Sequence, residues 1–265
     1  MKQPWSQADL SESVEIAWKS AWRTLQATPG ITVTELPECL QILSLHSVDL
    51  LFNNIIGCAI GGNATVDRIA ELLRPFREAN RPPQWWVRSD AAPGQFAETM
   101  KAIGMKNWGY SPGMTMRLDC APIDAESSDM QCALAQSEED REDALRVICN
   151  VYGVARPIMR HWLNPEAGIH TFLVRIHQIP VAAMTCVIEQ QIAGYYHVAV
   201  DPKYRRQGAA TALMQTGLRF AQDSGAQLAA LTSSVMAERL YQRIGFNYAN
   251  AFSFWEPGPY FVFPK

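Results

Sequence analysis

The stretch Tyr195-Tyr-His-Val-Ala-Val-Asp-Pro-Lys-Tyr-Arg-Arg-Gln-Gly-Ala-Ala-Thr-Ala-Leu-Met214 constrains this chain more than any other. Its first part reads as a strand of aromatic and β-branched residues that ends at Asp201-Pro202. A basic loop with one glycine follows, and a helix of small residues starts directly at Ala209. The start of a helix leaves amide N–H groups without intrahelical partners, and the helix dipole favours an anion there. Gly208 lets the backbone approach a ligand closely, Ala209 and Ala210 keep side chains out of the way, and Arg205 and Arg206 add charge. The natural ligand for such a loop is a diphosphate. The plainer reading is an ordinary strand-to-helix junction with two solvated arginines. Other phosphate loops fit worse, because the chain has neither a Gly-Lys-Ser/Thr triplet nor a Gly-x-Gly-x-x-Gly after a strand.

The rest of the chain narrows the setting. Its 265 residues suffice for one large domain or two of ordinary size, and 48% apolar against 18% charged residues supports a buried core. A net charge of −3 argues against a broad nucleic-acid footprint, which needs a basic excess. The six cysteines, Cys39, Cys58, Cys120, Cys132, Cys149 and Cys186, form no Cys-x-x-Cys pair and sit beside no histidine at metal-ligand spacing. They read as free thiols in a reducing compartment, and Cys149 and Cys186 as small core residues. The N-terminal residues have no apolar signal core, and no apolar run approaches the ~18 residues of a membrane helix. A cytoplasmic protein that holds no metal and engages neither membrane nor nucleic acid is the expectation.

Periodicity predicts an amphipathic helix over 5–26, a short strand over 31–35, and a strand or hairpin within 49–60. Gly61-Gly62-Asn63 reads as a turn. Thr65 then caps a helix with Val66, Ile69, Leu72, Leu73 and Phe76 on one face. Trp85-Trp86-Val87 reads as a buried strand, 96–103 as a helix closed by Gly104, and 114–118 as a strand. Residues 119–129 are polar and contain a proline, which marks a linker. Beyond it come a strand at 132–135, a helix with Ser137 and Asp140 as a capping box, and a short helix over 157–163. Strands are predicted at 171–176, 181–189 and 194–200. The loop leads into a helix over 209–224 stopped by Gly225, then a strand at 228–232, a helix over 235–244 capped by Gly245, and a strand at 249–255. A weak internal repeat lays Ile103-Gly104 on Ile244-Gly245, which places Met100 opposite Tyr241 and Gly61-Gly62-Asn63-Ala64-Thr65 near the Gly208 loop, without its arginines.

Val198-Ala-Val-Asp-Pro-Lys-Tyr-Arg-Arg-Gln-Gly-Ala-Ala210 resembles the acetyl-CoA-binding motif of the GNAT superfamily of N-acetyltransferases. Arg205, Gly208 and Ala210 meet its Arg/Gln-x-x-Gly-x-Gly/Ala core. Ala237-Glu-Arg-Leu-Tyr-Gln-Arg-Ile-Gly-Phe246 resembles the family's second signature, which ends Leu-Tyr-x-x-x-Gly-Phe. The resemblance covers about 130–256; for 1–118 it rests on the repeat. It implies a mixed α/β fold of two tandem GNAT-like domains, each a mostly antiparallel twisted sheet flanked by helices. The N-terminal copy, over 1–119, is degenerate; 120–129 is the linker, and 130–265 is the acetyltransferase domain.

The resemblance also implies a mechanism. Acetyl-CoA, a co-substrate, would lie between the Val198 and Leu228 strands. The backbone of Val198, Ala199 and Val200 would meet the pantetheine and polarise the thioester. Arg205 and the N–H groups of Arg206, Gln207, Gly208, Ala209, Ala210 and Thr211 would hold the pyrophosphate. An amine attacks directly, the developing oxyanion is stabilised, and Tyr241 protonates the leaving thiolate. The plainer role for Tyr241 is a core residue of an amphipathic helix. Ser234 stands where the family often has a cofactor-binding Asn; it retains a hydroxyl donor with shorter reach.

The general base is open. By strict alternation the face of Val198 and Val200 carries Gly194 and Tyr196, and His197 points the other way, which makes it a structural residue or one that faces the helix side. Glu189, His170 and His177 are unspecific, a water relay is an alternative, and His46 and His161 have no partner at useful spacing. Arg156, Arg160 and the pair His161-Trp162 border the expected acceptor side, where they suit an acidic or aromatic acceptor or simply form a solvated face. The acceptor is a small-molecule or peptide amine, and a homodimer is open to the chain. The rival reading is a non-catalytic acyl-CoA sensor or interaction module of the same fold.

Overall fold

The computed structural model describes residues 5–57, 64–91, 94–120 and 130–264. The expected Gly61-Gly62-Asn63 turn and nearly all of the expected linker lie outside them. In chain order the elements are α1 (Gln7–Arg23), β1 (Ile31–Glu35), β2 (Leu40–Ser44), β3 (Asn53–Ile56), α2 (Val66–Glu78), β4 (Gln84–Arg88), α3 (Gly94–Ala102) and β5 (Met105–Arg117). There follow β6 (Met130–Leu134), α4 (Glu138–Tyr152), α5 (Arg156–Met159), β7 (His170–Ile176), β8 (Ile179–Glu189) and β9 (Ile192–Val200). The chain ends with α6 (Ala209–Asp223), β10 (Leu228–Thr232), α7 (Glu238–Ile244) and β11 (Asn247–Pro257).

Packing divides the chain into two compact units, one of residues 1–25 and 114–249, the other of 26–113 and 250–265. In the first, β6, β7, β8 and β9 run antiparallel in that order, and β10 joins β9 in parallel. Two neighbouring tyrosines show how the sheet is covered. Tyr195 donates its hydroxyl to the carbonyl of Gly217 in α6 at 2.9 Å, and Tyr196 donates to the carbonyl of Ala17 in α1. Successive strand residues point to opposite faces, so α6 covers one and α1 the other. Phe172, Met184, Leu213, Met214, Leu218 and Leu231 fill the α6 side. The N-terminal helix therefore packs on β8, β9 and β10 of this unit and not within the expected 1–119 boundary. Its apolar stripe through Val14, Ala17 and Ala21 has its counterpart on this sheet, a partner that periodicity does not identify.

In the second unit β1, β2 and β3 are antiparallel, β4 joins β3 in parallel, and residues 252–255 of β11 pair antiparallel with β4. The strand β2 has no counterpart in the sequence reading. Ile69, Leu72, Leu73 and Phe76 of α2 pack with Trp85, Phe96, Met100 and Trp255 in its core. Thr65 caps α2 on the N–H of Arg68, and Ser137 with Asp140 forms the capping box of α4, as the sequence predicts. The closing glycines Gly104, Gly225 and Gly245 all take left-handed φ. The unit contains the succession β3-α2-β4-α3 followed by the start of β5, and the first contains β9-α6-β10-α7 followed by the start of β11.

Among the described residues Cys149 and Cys186 are free thiols. Cys149 and Cys186 are buried, and burial raises both thiol pKa values. No helix among these residues is long and apolar enough to cross a membrane.

Candidate functional site

The site begins where β9 loses its neighbour. Parallel pairing to β10 runs through Ile192–Leu228, Ala193–Ala229 and Gly194–Ala230 and then stops, while β9 continues to Val200. Within the same strand the register to β8 shifts. Tyr196 faces Thr185 and Ala199 faces Ala183, so three steps on β9 match two on β8. The extra residue is a β-bulge, which bends the strand and breaks strict alternation. His197 stands in it with φ +54°.

The bulge corrects the orientation expected for His197. Its ring lies among Tyr152, Trp162 and Tyr196, at centroid distances of 6.3, 5.6 and 6.5 Å. It therefore shares its side with Tyr196, not the opposite one. Its Nδ1 is 3.0 Å from Thr185 Oγ1. This apolar enclosure pushes its pKa down to about 4, so the imidazole is neutral at pH 7.

After Val200 the chain turns sharply. The Asp201 carboxylate accepts from the N–H of Lys203 at 2.9 Å, and Arg205 Nε donates to the Val200 carbonyl at 3.3 Å. Arg206 and Gly208 both have positive φ, +63° and +95°. Gly208 is the N-cap of α6 and supplies no side-chain cap. The first backbone bond of the helix runs from Ala212 N–H to the Gly208 carbonyl at 2.9 Å, which leaves the amides of Ala209, Ala210 and Thr211 directed outward. Two left-handed residues followed by free helix-start amides make a concave, positively polarised anion site.

These parts meet in one cleft of about 650 Å³. Val198, Val200, Arg205, Arg206, Gly208, Ala209, Ala210, Thr211, Ser234 and Tyr241 line it, and all ten were named from the sequence. Two residues named with them do not. Ala199 is fully buried, and exposed Gln207 turns its amide to the Lys203 carbonyl at 3.4 Å. The Ser234 hydroxyl accepts from the N–H of Ala237 at 3.3 Å, which leaves its own proton for a ligand. The expected helix start at 235 shifts to Glu238, because residues 234–237 form this turn.

Tyr241 is 6% exposed, with its ring edge against Phe246. Burial, with Tyr152 nearby, raises its pKa well above the ordinary phenol value. It is a fully protonated donor facing the cleft. Val151, Met236, Ala237, Leu240 and Arg243 complete the wall. Ala237, Leu240 and Tyr241 follow the i, i+3, i+4 spacing of one helix face, a signal the sequence offers. Tyr152 offers none. It ends α4 and donates its hydroxyl to the Val198 carbonyl at 3.2 Å, 46 residues away. On the expected acceptor side Arg156 and Arg160 share the one carboxylate of Glu142, and Arg160 also lies 3.6 Å from Glu138, so the pair is only partly neutralised. The described residues contain no group of acidic, His or Cys side chains arranged to hold a metal.

Residues 135–246 match the acetyltransferase (GNAT) family. Among solved structures the chain resembles a GCN5-related N-acetyltransferase from Kribbella flavida, at TM-score 0.72 and 18% identity over 91% of this chain and 95% of that one. A GCN5-related N-acetyltransferase from Sphaerobacter thermophilus gives 0.61 and 14% over 94% of each chain. A tandem GNAT protein from the clavulanic acid biosynthesis pathway gives 0.60 and 10% over 94% of this chain and 96% of that one. At these identities the likeness is one of fold. Among curated proteins none matches this sequence.

Proposed function

We propose that the protein is an acetyl-CoA-dependent N-acetyltransferase acting on an amine by direct attack. The observation that carries this reading is the continuity of one cleft. It runs from the uncapped start of α6, along the free edge of β9, to the protonated phenol of Tyr241. A phosphate needs the first, an extended amide chain needs the second, and a leaving thiolate needs the third. The family match over 135–246 supports the same reading.

The roles of the chain's own groups follow. The amides of Ala209, Ala210 and Thr211 with Arg205 and Arg206 hold the diphosphate. The β9 edge at Val198 and Val200 aligns the pantetheine. The acetyl group passes from sulfur to the amine nitrogen. The backbone of the bulged strand stabilises the charge that gathers on the carbonyl oxygen, and Tyr241 gives its proton to the departing sulfur. His197, with its pKa near 4, is too weak a base to deprotonate an ammonium, so the amine reacts as the neutral free base already in equilibrium with solvent, and the proton its nitrogen loses after attack restores the Tyr241 phenol through water.

The degenerate second copy expected over 1–119, joined through 120–129 to the copy at 130–265, is read as lying within 26–113, because α1 packs on the sheet of the other unit. The repeated strand–helix succession supports this, as do left-handed Gly104 and Gly245 and the sequence alignment that sets Met100 opposite Tyr241.

Titration calorimetry with acetyl-CoA, followed by free-thiol release across an amine panel, tests the function. Micromolar binding with turnover on at least one amine is the expected result. Binding without turnover on any amine replaces the enzyme with an acyl-CoA sensor. Absence of binding to any CoA species ends both readings.

A further inference from the structure

We infer that Tyr152 is a specificity-determining residue beside the cleft, favouring at the β9 edge ligands that bring their own amide donor; this rests on the acetyl-CoA reading above.

Beyond Gly194 the edge of β9 has lost its β10 partner, and an unpaired strand edge must satisfy its carbonyls elsewhere. At Val198 the partner is a side chain, the Tyr152 hydroxyl at 3.2 Å. The residue before it, Val151, and Val198 itself both line the cleft. Tyr152 keeps half of its surface exposed, yet its phenol turns inward, and desolvation raises its pKa. Through this bond its hydroxyl reaches the strand edge that lines the cleft. Its tether is short: Tyr152 is the last residue of α4, and left-handed Gly153 follows.

One carbonyl lone pair directed along the sheet has room for one in-plane donor. A ligand amide pairing with Val198 as an added strand therefore displaces the Tyr152 hydroxyl. A nucleotide that reaches only the α6 end leaves it in place. Tyr152 thus taxes every ligand that occupies the edge and no ligand that stops at the phosphates. A ligand carrying an N–H recovers the lost bond; an apolar chain does not.

Calorimetry on the full chain with CoA and with adenosine 3′,5′-diphosphate tests this, using wild type and Tyr152→Phe, which keeps the ring. The variant is expected to bind CoA about fivefold more tightly, the equivalent of one ordinary hydrogen bond no longer displaced. Its affinity for the diphosphate should stay within twofold. Unchanged or weaker CoA binding overturns the proposal, as does an equal gain for both ligands. If wild type binds the diphosphate and CoA while Tyr152→Phe behaves identically, only Tyr152 loses its role. If wild type binds neither, the acetyl-CoA reading falls and this one with it.

Discussion

Replacing Gly208 with alanine separates backbone conformation from space. A Cβ built at Gly208 meets nothing closer than Met130 Cε at 3.6 Å, an ordinary contact. The methyl fits, so any loss comes from the backbone. Gly208 sits at φ +95° and ψ −8°, where an L-residue is less stable by about 1–2 kcal/mol. The variant has two ways to bear this. If the loop keeps its shape, folding stability falls by the full amount and CoA affinity is preserved. If the free loop relaxes to negative φ, stability is retained, but the amides of Ala209 to Thr211 must be re-formed on binding. Affinity then drops by about 5- to 30-fold. Whatever the division, the two losses sum to about 1–2 kcal/mol. Urea unfolding without ligand gives the first and calorimetry with CoA the second. Asparagine at the same place tolerates the left-handed region better and should show a clearly smaller sum. If neither stability nor affinity moves by more than ~0.3 kcal/mol in the alanine variant, the loop does not depend on this conformation and the argument fails.

Tyr241→Phe should lower turnover by about tenfold or more while CoA affinity stays within twofold, as steady-state kinetics and calorimetry will show; unchanged turnover removes the general-acid role. Arg206→Glu should weaken CoA binding severalfold, an effect that shrinks as salt is raised from 50 to about 300 mM. His197 titrates at about 4 when folded against 6.5 when free, so the unfolded chain takes up this proton first as pH falls. The His197 contribution is therefore fully present above pH 6.5 and is lost between pH 6.5 and 4. Wild type should lose about 1–3 kcal/mol more than His197→Gln over that range in urea unfolding, the lower end reflecting partial solvent contact. Gly217→Ala would set a Cβ 2.3 Å from Met184 Cε and 2.9 Å from Tyr195 Cε1. Tyr195 is held by the carbonyl of that same residue, so overpacking of about 1–3 kcal/mol should outweigh the gain in helix propensity and lower the urea midpoint.

What the chain order alone determined is mostly local. The basic loop, the capping box at Ser137, the left-handed glycines at 104, 225 and 245, and the strands on either side of α6 are all readable because each depends on residues within a few positions. Ten cleft residues follow from two short motifs for the same reason: consecutive positions on a helix start or one helix face share a neighbourhood by geometry. The tertiary structure decided the rest. The bulge in β9 reflects a mismatch of register between two strands, which no periodicity within one strand contains, and it turned His197 to the side of Tyr196. The partner of α1 was another such case, because an apolar stripe says that a helix is covered but not by which sheet. Tyr152 belongs there too. Its meeting with the Val198 carbonyl joins a helix end to a strand 46 residues away. That contact exists because β10 releases the edge of β9, and only the pairing of strands in space decides where an edge is left free.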